Sequence, residues 1–129
     1  MAKKMLALVG IVDDDESVRE SISSLLRSAG YKTAAFESAE AFLNSDQNRE
    51  PDCLVLDVRM PGLSGIELQS ELHDRNSLIP IIFVTAHTED QVRDKAIQQG
   101  ATAFLDKPFN DEVLLGAIHL AIRIHGSVT

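Results

Sequence analysis

A chain of 129 residues with 44% hydrophobic and 25% charged side chains has an ordinary globular mix and the length for one compact domain with a substantial core. Its net charge of −8 argues against direct nucleic-acid binding, because phosphate backbones attract Lys and Arg. Met1 to Met5 lacks the apolar core of a secretory leader, and no run approaches membrane-spanning length, so the cytoplasm is the expected compartment and no membrane contact is expected.

Strand-like and helix-like segments alternate along the chain. The first apolar run, Met5–Val12, meets the acidic run Asp13-Asp14-Asp15-Glu16. A helix then places Val18, Ile22, Leu25, Leu26 and Ala29 on one face and stops at Gly30, a good C-terminal cap. The second strand is Tyr31–Phe36, and the second helix opens at Ser38 and uses Ala39, Phe42 and Leu43. The third strand, Asp52–Asp57, contains the single Cys53, which reads as a buried small hydrophobe and not a nucleophile. After Arg59-Met60-Pro61-Gly62, the capping box Ser64-Gly65-Ile66-Glu67 opens a helix that buries Ile66, Leu68 and Leu72.

The fourth strand, Pro80–Thr85, leads to a second capping box, Thr88-Glu89-Asp90-Gln91, and a helix ending at Gly100. The fifth strand, Thr102–Asp106, leads through Lys107-Pro108-Phe109 to a helix opening at Asn110-Asp111-Glu112, with acids where the helix dipole favours them. Val113, Leu114, Ala117, Ile118, Ala121 and Ile122 form its expected apolar face. Several strand runs are continuous and not alternating, which suits strands covered on both faces.

Five strands alternating with five helices predict a single doubly wound α/β domain of the flavodoxin-like kind, its parallel sheet ordered 2-1-3-4-5. Strands one and three are then neighbours at the switch point, and the acidic run faces the same crevice as Asp57. Each chemistry-bearing residue stands where a buried strand stops: Asp13 and Asp14, Asp57, Thr85 and Lys107. Three carboxylates brought together repel one another, so a carboxyl is protonated or a cation binds among them. Oxygen ligands with open positions suit Mg²⁺. Taken singly, Asp15 reads as a helix cap, Asp57 as a turn former, Lys107 as a surface lysine and Thr85 as a strand-end hydroxyl. Their coincidence at adjacent strand ends points elsewhere. A carboxylate attacking a phosphoryl centre needs a metal, a cation and a hydroxyl around it.

These residues resemble the receiver domain of two-component response regulators, the CheY-like family. The matching parts are Asp13-Asp14, the segment Leu54-Val55-Leu56-Asp57-Val58-Arg59-Met60-Pro61-Gly62, Thr85-Ala86 and Lys107-Pro108-Phe109, and the likeness covers nearly the whole chain. The resemblance implies that Asp57 is the phosphoacceptor, with Mg²⁺ held by Asp14 and Asp57 through carboxylate oxygens, by Arg59 through its backbone carbonyl and by Asp13 through water. Asp14 and Asp15 would exchange roles if the first strand ran one residue longer. Thr85 and Lys107 would contact the phosphoryl oxygens, and the Lys107–Pro108 peptide would be cis.

Phe104 falls at the family's switch aromatic, with ordinary core packing as the alternative. Arg59 and His87, two residues after Asp57 and Thr85, would look onto the site and set the phosphoryl lifetime; for His87 the alternative is a surface loop residue. On phosphorylation, Thr85 and Phe104 would change the face made by the fourth helix, fifth strand and fifth helix.

The implied partner is a sensor histidine kinase or phosphotransfer protein, and phosphorylation would promote a homodimer. The domain would catalyse only its own phosphorylation and dephosphorylation. The phrases Asp13 to Ser21 and Ser38 to Leu43 resemble the branch whose receivers precede a LuxR-type helix-turn-helix. Residues 1–129 read as the receiver alone, either a single-domain regulator or an excised one, and DNA would be reached only through an effector domain absent from this chain. Two rivals are weaker. A flavin carrier would need a phosphate-friendly loop where the acidic run stands. An aspartyl-nucleophile phosphatase would carry an acid where Arg59 stands.

Overall fold

The computed structural model describes residues 6–45, 50–86 and 89–128. Ten elements alternate: β1 (Leu8–Val12), α1 (Glu16–Ser28), β2 (Lys32–Phe36), α2 (Ala39–Leu43), β3 (Cys53–Leu56), α3 (Gly65–Asp74), β4 (Ile81–Thr85), α4 (Asp90–Gln98), β5 (Ala103–Asp106) and α5 (Asp111–Val128). The strands form one parallel sheet in the order β2-β1-β3-β4-β5, as the alternation predicts.

The continuous apolar runs are explained by two cores, one on each face of the sheet. Leu54, Leu56, Ile81 and Phe83 pack with Ala39, Phe42, Leu68, Leu72 and Ala96 of α2, α3 and α4. Their strand neighbours Cys53, Val55, Ile82 and Val84 point the other way, onto Ile22, Leu26, Leu114, Ile118 and Ala121 of α1 and α5. Each β3 or β4 side chain therefore meets a helix, whichever face it occupies. Burial pushes the Cys53 thiol up to about 12, which leaves it inert as a nucleophile at neutral pH.

Two expectations need correction. Val113 is 53% exposed, because α5 buries the row Leu114, Ile118 and Ala121 and leaves Val113 one step round the helix. Ala29 is exposed as the C-cap of α1 and does not join its apolar face. The expected Thr88 cap lies outside the described residues; Glu89 occupies the N-cap position of α4 without a side-chain capping bond. The Ser64 capping box of α3 is present, with Ser64 and Glu67 bonding reciprocally.

Register sets the site. Val12 lies opposite Leu56, and Thr85 opposite Asp106. The residues that follow β1 and β3, Asp13 and Asp57, therefore emerge side by side, with Thr85 and Lys107 at the ends of the next two strands.

Candidate functional site

The acidic run divides its work by position. β1 stops at Val12, and Asp15 turns away to cap α1, accepting from the Ser17 backbone N–H (2.9 Å), the Ser17 hydroxyl (2.8 Å) and the Val18 N–H (3.3 Å). These bonds hold its carboxyl below the ordinary range. Asp13 and Asp14, and not Asp15, are thereby left at the crevice. One carboxylate oxygen from each of Asp13, Asp14 and Asp57 lies within 4.8 Å of the others, with Asp14 exposed and the other two buried.

Asp13 is buried and fully engaged. Its Oδ1 accepts from the Asp15 N–H at 2.9 Å, its Oδ2 from Lys107 Nζ at 2.9 Å, and its carbonyl from Arg19 Nη1 at 2.8 Å. Asp57 is 7% exposed. Its N–H donates to the Val12 carbonyl at 3.0 Å, which ties the two strand ends together. Lys107 Nζ lies 3.7 Å from its Oδ2, while Oδ1 is buried without a hydrogen-bond partner.

Burial, then the charge on Asp13, push the Asp57 carboxyl above its ordinary value; Lys107, the Thr85 hydroxyl and the Val58 N–H oppose that rise. The carboxylate is therefore under-compensated. Buried unpaired oxygen, hard donors only, and excess negative charge together fit a divalent cation.

Lys107 reaches inward to Asp13; its N–H donates to the Thr85 carbonyl at 2.8 Å, and its peptide bond to Pro108 is cis. Thr85 is fully buried. Phe104 is 9% exposed, with its ring 5.8 Å from that of Phe83 and the Arg93 guanidinium 5.4 Å above it. Arg93 also pairs with Asp106 at 3.6 Å. Arg59 is exposed, and its guanidinium pairs with Glu89 at the start of α4. His87 lies outside the described residues.

Three participants escaped the sequence. Gly65 is required by contact: a Cβ there would stand 2.1 Å from the Asp57 carbonyl oxygen. Glu40 Oε2 accepts from the Leu63 N–H at 3.0 Å, and Glu89 meets Arg59. Glu40 stands inside the Ser38–Leu43 phrase already noted, but neither it nor Glu89 has a spacing that announces its partner.

With strand order, acidic cleft, buried hydroxyl and inward lysine in place, the molecule has the form of a phosphoacceptor switch domain. Residues 9–119 match the family described as response regulator receiver domain, and the chain belongs to that family. It is 46% identical over 118 residues to the response regulator protein TmoT of Ectopseudomonas mendocina, covering 92% of this chain and 54% of that protein. It is 42% identical over 113 residues to the transcriptional regulatory protein FixJ of Bradyrhizobium diazoefficiens, covering 88% and 55%. The solved structure FixJ-N superimposes with a TM-score of 0.84 at 38% identity, over 93% of this chain and 96% of that one. The chain spans about half the length of the curated relatives it matches. Among the described residues, no helix is long and apolar enough to cross a membrane.

Proposed function

We propose that Asp57 accepts one phosphoryl group, with Mg²⁺, from a phosphohistidine on a sensor histidine kinase or phosphotransfer protein. The observation that carries this reading is the buried, unpartnered Asp57 Oδ1 beside Asp13 and Asp14, with the Lys107 ammonium and Thr85 hydroxyl at hand. An Asp57 carboxylate oxygen attacks phosphorus as the P–N bond breaks, and the imidazole leaves with the electron pair. Asp14 and Asp57 would hold the cation through carboxylate oxygens, Arg59 through its carbonyl and Asp13 through water. When bound, Mg²⁺ offsets the charge that gathers as a carboxylate meets a phosphoryl group.

The chain's own groups do the rest. Lys107, now shared between Asp13 and Asp57, supplies a cation for the phosphoryl oxygens, and Thr85 supplies a hydroxyl donor. Return of the phosphoryl group to water regenerates the Asp57 carboxylate, so the domain turns over only its own phosphate. Relatives described as a response regulator and a transcriptional regulator support an output in transcription. That output would act through a separate effector domain, with α4, β5 and α5 as the face that dimerises on phosphorylation.

Intact-mass measurement after exposure to acetyl phosphate with Mg²⁺ tests the assignment. One added phosphoryl group is expected on the parent, and none on Asp57→Asn or in the presence of EDTA. Undiminished labelling of Asp57→Asn would refute it.

A further inference from the structure

We propose that Glu40 is a positioning residue: from α2 it holds the loop between β3 and α3, and so sets how tightly the acidic cleft binds a divalent cation. The inference rests on the reading that the Arg59 carbonyl belongs to that cation site.

Glu40 Oε2 accepts from the Leu63 N–H at 3.0 Å, a contact across 23 positions of sequence. The same oxygen lies 2.3 Å from where a Cβ on residue 62 would stand, and Gly62 has φ +79°. The carboxylate therefore fills the side-chain space of residue 62, and the loop closes round it in a backbone conformation that favours glycine.

Glu40 itself is firmly placed. The Ser38 hydroxyl accepts from the Ala41 N–H at 2.9 Å, Ala39 is fully buried, and the Phe42 ring meets Phe36 edge-on at 5.3 Å. Helix α2 is thus fixed to the core beside β2, and its one outward carboxylate reaches over to the acceptor loop. At the near end of that loop, Val58 and Met60 are buried; at the far end, the Ser64 capping box and the Gly65 N–H bond to the Val58 carbonyl close it, and Glu40 adds a hold on the turn between. Without it, the Leu63 amide turns to water and Gly62 regains freedom, and the loop that presents the Arg59 carbonyl loosens with it.

Calorimetric titration of the unphosphorylated protein with Mg²⁺ tests this, together with amide hydrogen exchange at Leu63. Glu40→Ala is expected to weaken Mg²⁺ binding roughly three- to tenfold, at or below the usual loss for an outer partner of a metal ligand, and to speed exchange at Leu63. Glu40→Gln keeps an acceptor oxygen and should stay within about twofold of the parent, since geometry and not charge is at issue. Glu40→Asp keeps the charge but shortens the reach to the Leu63 N–H, and should reproduce the loss if Glu40→Ala folds poorly.

Faster exchange at Leu63 with unchanged Mg²⁺ affinity would overturn the proposal, leaving a purely structural latch. Equal losses in Glu40→Ala and Glu40→Gln would also overturn it, because the field of the carboxylate would then be the cause. A parent protein that takes no Mg²⁺ at all would instead remove the cation reading on which it rests.

Discussion

Gly65→Ala is the sharpest perturbation of the acceptor that leaves every charged group in place. The added methyl would stand 2.1 Å from the Asp57 carbonyl oxygen, 3.0 Å from its carbon and 3.1 Å from Val58 Cα. All three are backbone atoms, so no side chain can swing aside. Ordinary contact begins near 3.4 Å, and α3 would have to withdraw by about 1.3 Å. Withdrawal stretches the Gly65 N–H bond to the Val58 carbonyl, now 2.8 Å, which costs about 1 kcal/mol. Overpacking adds about 1–3 kcal/mol, and the better helix propensity of Ala returns up to about 1 kcal/mol. The net is a loss of about 2 kcal/mol, read in urea as a midpoint lowered by roughly 1 M for a slope of about 2 kcal/mol/M. Displacement of the Asp57 backbone should also slow acetyl phosphate labelling at least tenfold, since about 1 Å of misplacement can cost 100-fold. A variant with the parent's urea midpoint and labelling rate would show that α3 does not press on the acceptor.

Gly116→Ala is the control: it lies within α5 with nothing within 4 Å of the new methyl, and should raise stability by about 0.5–1 kcal/mol without altering labelling. Asp57→Asn should raise the thermal midpoint at neutral pH. The folded-state pKa of Asp57 lies above its unfolded value of 3.8, so its contribution to stability is full below 3.8 and is lost as pH rises through the folded pKa. The advantage of Asp57→Asn should therefore vanish on acidification, and Mg²⁺ should narrow it at neutral pH by stabilising the parent; an advantage that persists below pH 3.8 would contradict this origin. Thr85→Ala should still be labelled on Asp57 but lose most phosphorylation-dependent dimerisation, measured by light scattering with beryllofluoride and Mg²⁺. Dimerisation equal to the parent's would remove Thr85 from the coupling.

The two-faced sheet was legible because the apolar runs are continuous, as in Cys53 to Leu56 and Ile81 to Val84, which are wholly buried, and its order because alternating strands and helices with right-handed crossovers leave few topologies. The acidic cleft followed from where those runs stop. The register between Asp14 and Asp15 was not decided by pattern, since three adjacent aspartates look alike. The Ser17 and Val18 amides settle it by claiming Asp15. Val113 was misplaced because a helix face six residues wide is broader than the strip α5 actually buries. The links from Glu40 of α2 to Leu63 and from Glu89 to Arg59 reach into the loop after β3 across 23 and 30 positions, and no local periodicity encodes a contact to a connection.

Helix α4 is held differently from the rest of the domain. Its one fully buried residue is Ala96, and its N-cap makes no side-chain capping bond. Gln69 Nε2 of α3 donates to the Ala96 carbonyl at 3.0 Å, Val92 packs on the core, and two ion pairs add to these: Arg59 with Glu89 at the start of α4, and Arg93 with Asp106 one turn in. All four groups are largely exposed, so each pair contributes about 0–1 kcal/mol. Arg59 follows Asp57 by two residues, and Asp106 directly precedes Lys107. A phosphoryl group on Asp57 would place up to about two negative charges beside these anchors where the carboxylate carried one, and would compete with Glu89 for Arg59 and with Asp13 for Lys107. The exposed ion pairs are within reach of such competition, whereas the buried rows that fix α1, α3 and α5, and the Ala96 end of α4, are not. A ligand shifts a conformational equilibrium only through contacts that differ between the states, and on the proposed phosphorylation of Asp57 the start of α4 is where such a difference would arise.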